Sequence, residues 1–546
     1  MDKLKRTTYT PRYPKWMIGR PILIASSALA SFGDVMCGYT IIALQVEPPF
    51  IKRFLGKTVT LAQVQADHTG VKLMIDAVAV ICFEIPGFFA ALGSAYLCDH
   101  LGRRMSLRIG GIIYFIAAFV QMFSKGLPGF IFARLIQGVG GGILSVTVPI
   151  LQSEIAPEHS RGLFICIEHL CMNAGHALSA WVGYGFFFML PSDLSWRGPY
   201  IVQAVLSFIL VLWTYVLPET PRWLIKNGFE EEGLGTLADL HGTGDVNDPT
   251  IRGSYGEISA AIEYEARLGQ ATWSQLFTQY PRRIIVGAIC QFFAQFNGIN
   301  AILYLMPINL FRAGGSIKTS LLYVGIAAVV NCLGTVSAMF LIDRWGRRPF
   351  LIFGSIALAA CLATAGGVQI GAERLPEGRS HVPYTSGIFA GGPIVFRTFI
   401  VMTLSFVAFC LYLFVFSASA EIFPLRARGK GAALSSMVNW LCGFIVTLSM
   451  ERLFRSLPAG GYFFFMGFCI MSGIFVFFVC PETAYLSLEQ LGRVFGDKVS
   501  DSEEEIGVAP AMLGVPEGRD SESTLRPSID STSPYKVKKE SSSLSV

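Results

Sequence analysis

Twelve long, mostly apolar runs organise this chain, near residues 20 to 44, 73 to 97, 107 to 124, 128 to 152, 163 to 190, 199 to 217, 284 to 311, 320 to 342, 349 to 371, 391 to 420, 431 to 450 and 460 to 480. A helix needs about 20 apolar residues to cross a hydrocarbon core about 30 Å thick, so each run predicts one transmembrane helix. Composition agrees. Hydrophobic residues make up 52% of the 546 and mean hydropathy is +0.52, while the charged fraction of 15% falls below the roughly 25% usual in soluble domains. The net charge of +5 is small and scattered between apolar runs, which argues against a nucleic-acid partner. The twelve cysteines lie mainly inside apolar runs, without CxxC or Cys/His spacing, so neither disulfides, a metal nor a cofactor is expected.

The expected organisation is a cytosolic N-terminus (1–19), a first six-helix bundle (20–217), a cytosolic helical linker (218–282), a second bundle (283–485) and a disordered tail (486–546) rich in Ser and charge. Lys and Arg set the orientation. Lys3, Lys5, Arg6, Arg12 and Lys15, the loop with Arg103, Arg104 and Arg108, the linker, and the loops with Arg344, Arg347, Arg348 and with Arg426, Arg428, Lys430 all fall on one side. That side is expected to be the cytosol, with both termini on it. Lys52, Arg53, Lys57, Arg374 and Arg379 land on the other side, in longer loops, and weaken the bias without reversing it.

A repeated knot of charge shows how the spans are related. DHLGRR (99–104) puts four ionisable side chains into six positions and returns 244 residues later as DRWGRR (343–348). SEIAPEHSRG (153–162) returns as AEIFPLRARG (420–429) after 267 residues, and PET recurs at 218 and 481, 263 apart. Three unlike motifs in one order at similar offsets indicate a duplication, six spans repeated as six. Two such halves suit a rocking carrier whose central site alternates between the membrane faces. In each knot the glycine permits a tight turn, and Asp and Arg can pair across helix ends when the inner face closes and part when it opens. Glu154 and Arg161, like Glu421 and Arg428, are 7 apart, two helical turns.

These motifs, with RLIQGVGGG (134–142), PETPRWL (218–224), QFNGINAILY (295–304), VNW (438–440) and the linker stretch GDVNDPTIRGSYGEISAAI (244–262), resemble the sugar porters of the major facilitator superfamily, fungal hexose transporters in particular, over about residues 15 to 490. The resemblance implies an all-α membrane protein of twelve helices in two pseudo-symmetric bundles. It also implies a cytosolic gate made by Asp99, Arg103, Arg104, Glu154, Arg161, Asp343, Arg347, Arg348, Glu421 and Arg428, with the linker helices as a latch.

Reading a sugar at the bilayer midplane calls for neutral amides, which both donate to and accept from hydroxyls, and an aromatic face. Gln295, Asn300, Asn331 and Asn439 beside Trp440 match family positions that bind the pyranose. Gln295 and Asn300 do not share one face of a regular helix, so Gly298 between them predicts a broken helix. Three further solute-binding candidates depart from the family: His169 replaces the fifth span's Gln, Phe416 the tenth span's Trp, and Thr40 the first span's acid. Ala294 also replaces the first Gln of a pair, and CLYLFVF (410–416) lacks the family's proline. A hydroxyl left without its amide costs about 1–3 kcal/mol, so a polyol, a quinate-like hydroxy acid, a larger glycoside or a secondary metabolite competes with a hexose.

Thr40 cannot carry a proton, which by strict position reads as facilitated diffusion. Asp34, in the same span, lies about 21 Å beyond Arg20, a depth Arg134 is expected to share, and the pair are the candidates for proton coupling. A midplane carboxylate costs about 2.5–3.5 kcal/mol even on insertion scales, so it needs a partner or a function. Glu84 and Glu168 fall under the same rule. The leading reading is a secondary carrier for a sugar or similar polyhydroxy solute, facilitator or proton symporter, monomeric in a lipid bilayer, with the plasma membrane expected. The alternative is a nutrient sensor built on a carrier scaffold. Nothing supports an enzyme: no nucleophile-base set, metal cluster or phosphate loop is present, and GVGGG (138–142) sits in a membrane helix, where small residues pack helices.

Overall fold

The computed structural model describes residues 13–39, 50, 52–53, 71–157, 160–268, 272–298, 317–373, 422–423, 427–482 and 495. The helices of the first half are α1 (Arg20–Gly38), α2 (Val71–Leu101), α3 (Arg103–Phe123), α4 (Leu127–Ile155), α5 (Arg161–Phe187) and α6 (Leu194–Trp213). The linker holds α7 (Pro221–Lys226), α8 (Glu230–His241), α9 (Pro249–Leu268) and α10 (Trp273–Gln279). The second half holds α11 (Pro281–Phe296), α12 (Ile317–Trp345), α13 (Arg347–Glu373), α14 (Arg428–Ser456) and α15 (Pro458–Val479). Eleven of the twelve apolar runs are therefore helices, and the tenth, 391 to 420, lies outside the described residues. Eight of the described helices are long and apolar enough on their own to cross a membrane.

Several helices start on proline, which has no amide to leave unbonded in a first turn: α1, α4, α11 and α15 carry it at the first or second position. Lipid gives no hydrophobic drive for helices to associate, so close contact depends on small residues. On α4, a Cβ at Gly142 would run into the Gly87 carbonyl of α2, and the two backbones touch there. Helix α4 packs on α2 and α3, and α1 packs on α5. In the second half α13 packs on α15 and α11 on α14. The halves meet along two seams, α2 against α14 and α5 against α12. The first seam is made of small residues, Ala91 and Ala95 facing Ala432 and Ala433, closed by Trp440. Outward faces are apolar, as the stripe Ile85, Phe89, Leu92, Tyr96 on α2 illustrates at 37–68% exposure.

The linker divides its attachments. Helices α7 to α9 share a small core of Leu234, Leu237, Ile251 and Ile258. They dock on the first half through Gly19 N–H to the Asp239 carbonyl (2.7 Å) and His241 Nε2 against the Ile155 carbonyl (2.9 Å). Helix α10, opened by a capping box in which Thr272 and Gln275 satisfy each other's backbone amides, belongs to the other half. Its Leu276 packs with Phe423 and Ala427, and Lys430 lies over Trp273 at 5.9 Å.

Candidate functional site

Two polar layers stand out, one at the helix ends beside the linker and one at mid-depth. In the first, Gly102 and Gly346 both adopt left-handed backbone, φ 87° and 81°, immediately before α3 and α13. Glycine meets no Cβ penalty in that conformation. The turn exposes the first amides of each helix, and a glutamate caps them. Glu219 accepts from the N–H groups of Arg103 (3.0 Å) and Arg104 (3.1 Å), and Glu482 accepts from those of Arg347 (3.0 Å) and Arg348 (3.0 Å). Each glutamate belongs to the PET of its own half. The repetition of PET was the signal in the sequence, and its use as a helix cap was the part sequence reasoning missed. Burial pushes the Glu219 carboxyl above its ordinary range, against the pull of the backbone amides and Arg103.

Glu154 is the centre of the same layer. It accepts from Arg103 Nη2 at 2.8 Å and from Thr220 Oγ1 at 2.7 Å, and Arg428 Nη1 of the other half lies 3.8 Å away. The Glu154, Arg103 and Arg428 side chains are at most 4% exposed. Asp99 lies 3.9 Å from Arg103 and beside Gly429, where a Cβ would sit 3.2 Å from its Oδ2. It therefore faces the positive N-terminal end of α14. Arg104 reaches the Leu217 carbonyl, and Arg348 the Phe477 carbonyl. Arg161, Asp343 and Glu421, which the sequence placed in this gate, have side chains outside the described residues.

At mid-depth, Asn439 of α14 links two amides of α11: its Nδ2 donates to Gln291 Oε1 (2.7 Å) and its Oδ1 accepts from Gln295 Nε2 (3.0 Å). Gln291 went unnoticed in the sequence although it sits one turn before Gln295, on the same face. Asn331 is held elsewhere: it donates to Asn173 Oδ1 (3.1 Å), and Asn173 Nδ2 donates to Thr335 (2.7 Å), a clasp across the α5–α12 seam. Trp440 is not an open stacking face. It is 9% exposed, donates to Ser145 Oγ (3.0 Å) and packs edge-on to Phe83 with centroids 5.3 Å apart. Helix α11 stops at Phe296, and Gly298 has φ 83°. Thr40, Asn300 and Phe416 lie outside the described residues, and His169 is buried on α5.

The structure does not bring Asp34 and Arg134 to one depth. Gly33, next to Asp34, packs on Leu144 and Val148 of α4. Arg134 lies ten or more residues further along that helix, about 15 Å at 1.5 Å per residue. There its Nη1 donates to Gln137 (3.2 Å) and its guanidinium approaches Phe130. A 3.6-residue period gives depth only within one helix, and the offset between helices is set by where their small residues touch.

Pre-paired amides satisfy one another while no solute is bound, and solute hydroxyls can replace those bonds one for one. A family model described as "Sugar (and other) transporter" matches residues 26–495. The MFS glucose transporter mfs1 of Aspergillus flavus is 29% identical over 420 residues, covering 74% of this chain and 78% of its own length. The low-affinity glucose transporter HXT4 of Saccharomyces cerevisiae is 29% identical over 511 residues, covering 89% and 83%. The proton:xylose symporter XylE, solved with 6-bromo-6-deoxy-D-glucose, superposes with a TM-score of 0.73 at 22% identity, covering 87% of this chain and 99% of that one. That likeness shows the fold, twelve helices in the major facilitator arrangement.

Proposed function

This chain belongs to the Sugar (and other) transporter family as a multi-pass membrane protein, and on that premise we propose that it carries a sugar or sugar-like polyhydroxy solute by alternating access. The single observation that carries the reading is the mid-depth ladder Gln291–Asn439–Gln295, which offers donors and acceptors together at a level where lipid offers none. The Glu154–Arg428 contact between the halves supports a state with the cytosolic side closed. The glucose named for mfs1 and HXT4 makes a hexose the first solute to test. The distribution of Lys and Arg supports a cytosolic side for both termini and the linker.

The test is uptake of labelled hexoses and polyols in cells lacking their own hexose carriers. Saturable uptake that Asn439→Ala weakens mainly through KM is the expected result, because one amide serving two partners is lost, about 1–3 kcal/mol. A chain that reaches the membrane and moves none of these solutes would remove the reading and favour a sensor.

A further inference from the structure

Among the described residues, Glu84 is a carboxyl that the two polar layers leave unused and that faces the amide of Gln295. It lies on α2 one turn before Gly87 and on the face of Ala91 and Ala95, the small residues that press against α14; the lipid-facing stripe starting at Ile85 is turned away from it. Gly87 touches Trp440 of α14, and the seam runs on to Gly443. There Glu84 Oε2 and Gln295 Oε1 converge on Gly443 of α14, at 3.4 and 3.6 Å from where its Cβ would be. Glu84 is half-buried. Among the described residues its titratable neighbours are Cys82 on its own helix and Cys442 on α14, together with Arg134 on α4, which lies a turn beyond the Phe83–Gly138 contact and is engaged with Gln137. Helix α11 presents the neutral Gln295. Among the described residues Glu84 makes no ion pair.

We propose that Glu84 is a proton-binding carboxyl of the α2–α14 seam beside Gln295, holding its proton while the cytosolic side is closed and releasing it when that side opens. An ionised carboxylate at this depth without a countercharge is costly, and such a group takes a proton instead. In the protonated state its O–H donates and its carbonyl oxygen accepts, as a solute hydroxyl requires. When the seam between α2 and α14 parts on the cytosolic side, water reaches the carboxyl, the O–H bond breaks, and the proton passes to that water and leaves a hydrated carboxylate. Reopening outward reloads it from outside water. One proton thus crosses per cycle in the direction of the solute, and no part is left for the first-span acid that Thr40 replaces.

The transport half of the test rests on the carrier reading above; the spectroscopic half does not. Purified full-length protein in proteoliposomes is compared with Glu84→Gln, which keeps size and hydrogen bonding, and with Glu84→Asp, which keeps the acid. Infrared difference spectra should show a protonated-carboxyl band at neutral pH that is lost in Glu84→Gln and returns with a shifted titration in Glu84→Asp. Gradient-driven glucose accumulation should be lost in Glu84→Gln, and whatever counterflow exchange that variant retains should no longer vary with pH. Accumulation in Glu84→Gln equal to the parent overturns the proposal. So does an infrared spectrum unchanged by the substitution, whether or not any sugar is carried. A Glu84-dependent band in a protein that moves no solute supports the proton site and counts against the carrier reading alone.

Discussion

The two charged knots share one internal design, and among the described residues the contacts that cross the seam between the halves come from the first. In each half a left-handed glycine turns the chain into a helix, the next two amides are held by a glutamate, and the second arginine reaches a carbonyl near that glutamate's own segment. The glutamates, Glu219 and Glu482, are 263 residues apart and do the same work. The first knot does more. Its Arg103 and Asp99 join Glu154 and the start of α14, so α2, α3 and α4 are tied to the opposite half through Arg428. Contacts within a half can stay made throughout a cycle, whereas a buried ion pair between halves must break for the inner face to open. The two caps are alike, and the crossing charges described at the first make it a lock between the halves.

The comparison is tested most severely at Glu154. Glu154→Ala would strand two buried guanidiniums, a loss of about 3–5 kcal/mol, and should lower the melting temperature and shift the protein toward the inward-open state, read by thermal unfolding and by accessibility of cytosolic-side cysteines. An equal effect from substituting Glu482 would show that the lock is no stronger than a cap. Next come the caps themselves: Glu219→Ala and Glu482→Ala should each cost about 1.5–3 kcal/mol, the worth of hydrogen bonds to a charged group, and similar melting shifts would confirm equivalent roles. The smallest expected effect is on pH dependence. Because burial holds the Glu219 carboxyl above its ordinary range, its contribution is full at acid pH and declines as pH rises from the ordinary Glu range through the raised value. Glu219→Gln should flatten that part of the stability profile, and an unchanged slope would show that the carboxyl stays ionised throughout.

Much of the fold could be read without coordinates because its signals are local. Apolar length gives the spans, and repeated DxxGRR and PET motifs give the two halves, since each needs only a few consecutive residues. The glycine turns were legible for the same reason: a tight turn before GRR admits little else. The site was legible by residue type and illegible by partner. Gln295 and Asn439 are bonded to each other, yet Asn331 clasps Asn173, Trp440 fills the α2–α14 seam, and Asp34 lies far in depth from Arg134.

By itself the sequence determined that this chain spans a membrane as two related sets of helices with charged turns on one side, because hydropathy and repetition are properties of the chain taken in order. Only the tertiary structure decided which polar side chains share a level and a face. That choice depends on the rotation and sliding of whole helices, fixed by contacts such as Gly142 on Gly87 and Ala91 beside Ala432, between residues far apart in the chain. Glu84 shows the difference: in the sequence it is one carboxylate in an apolar run, and in the fold it meets Gln295 over Gly443.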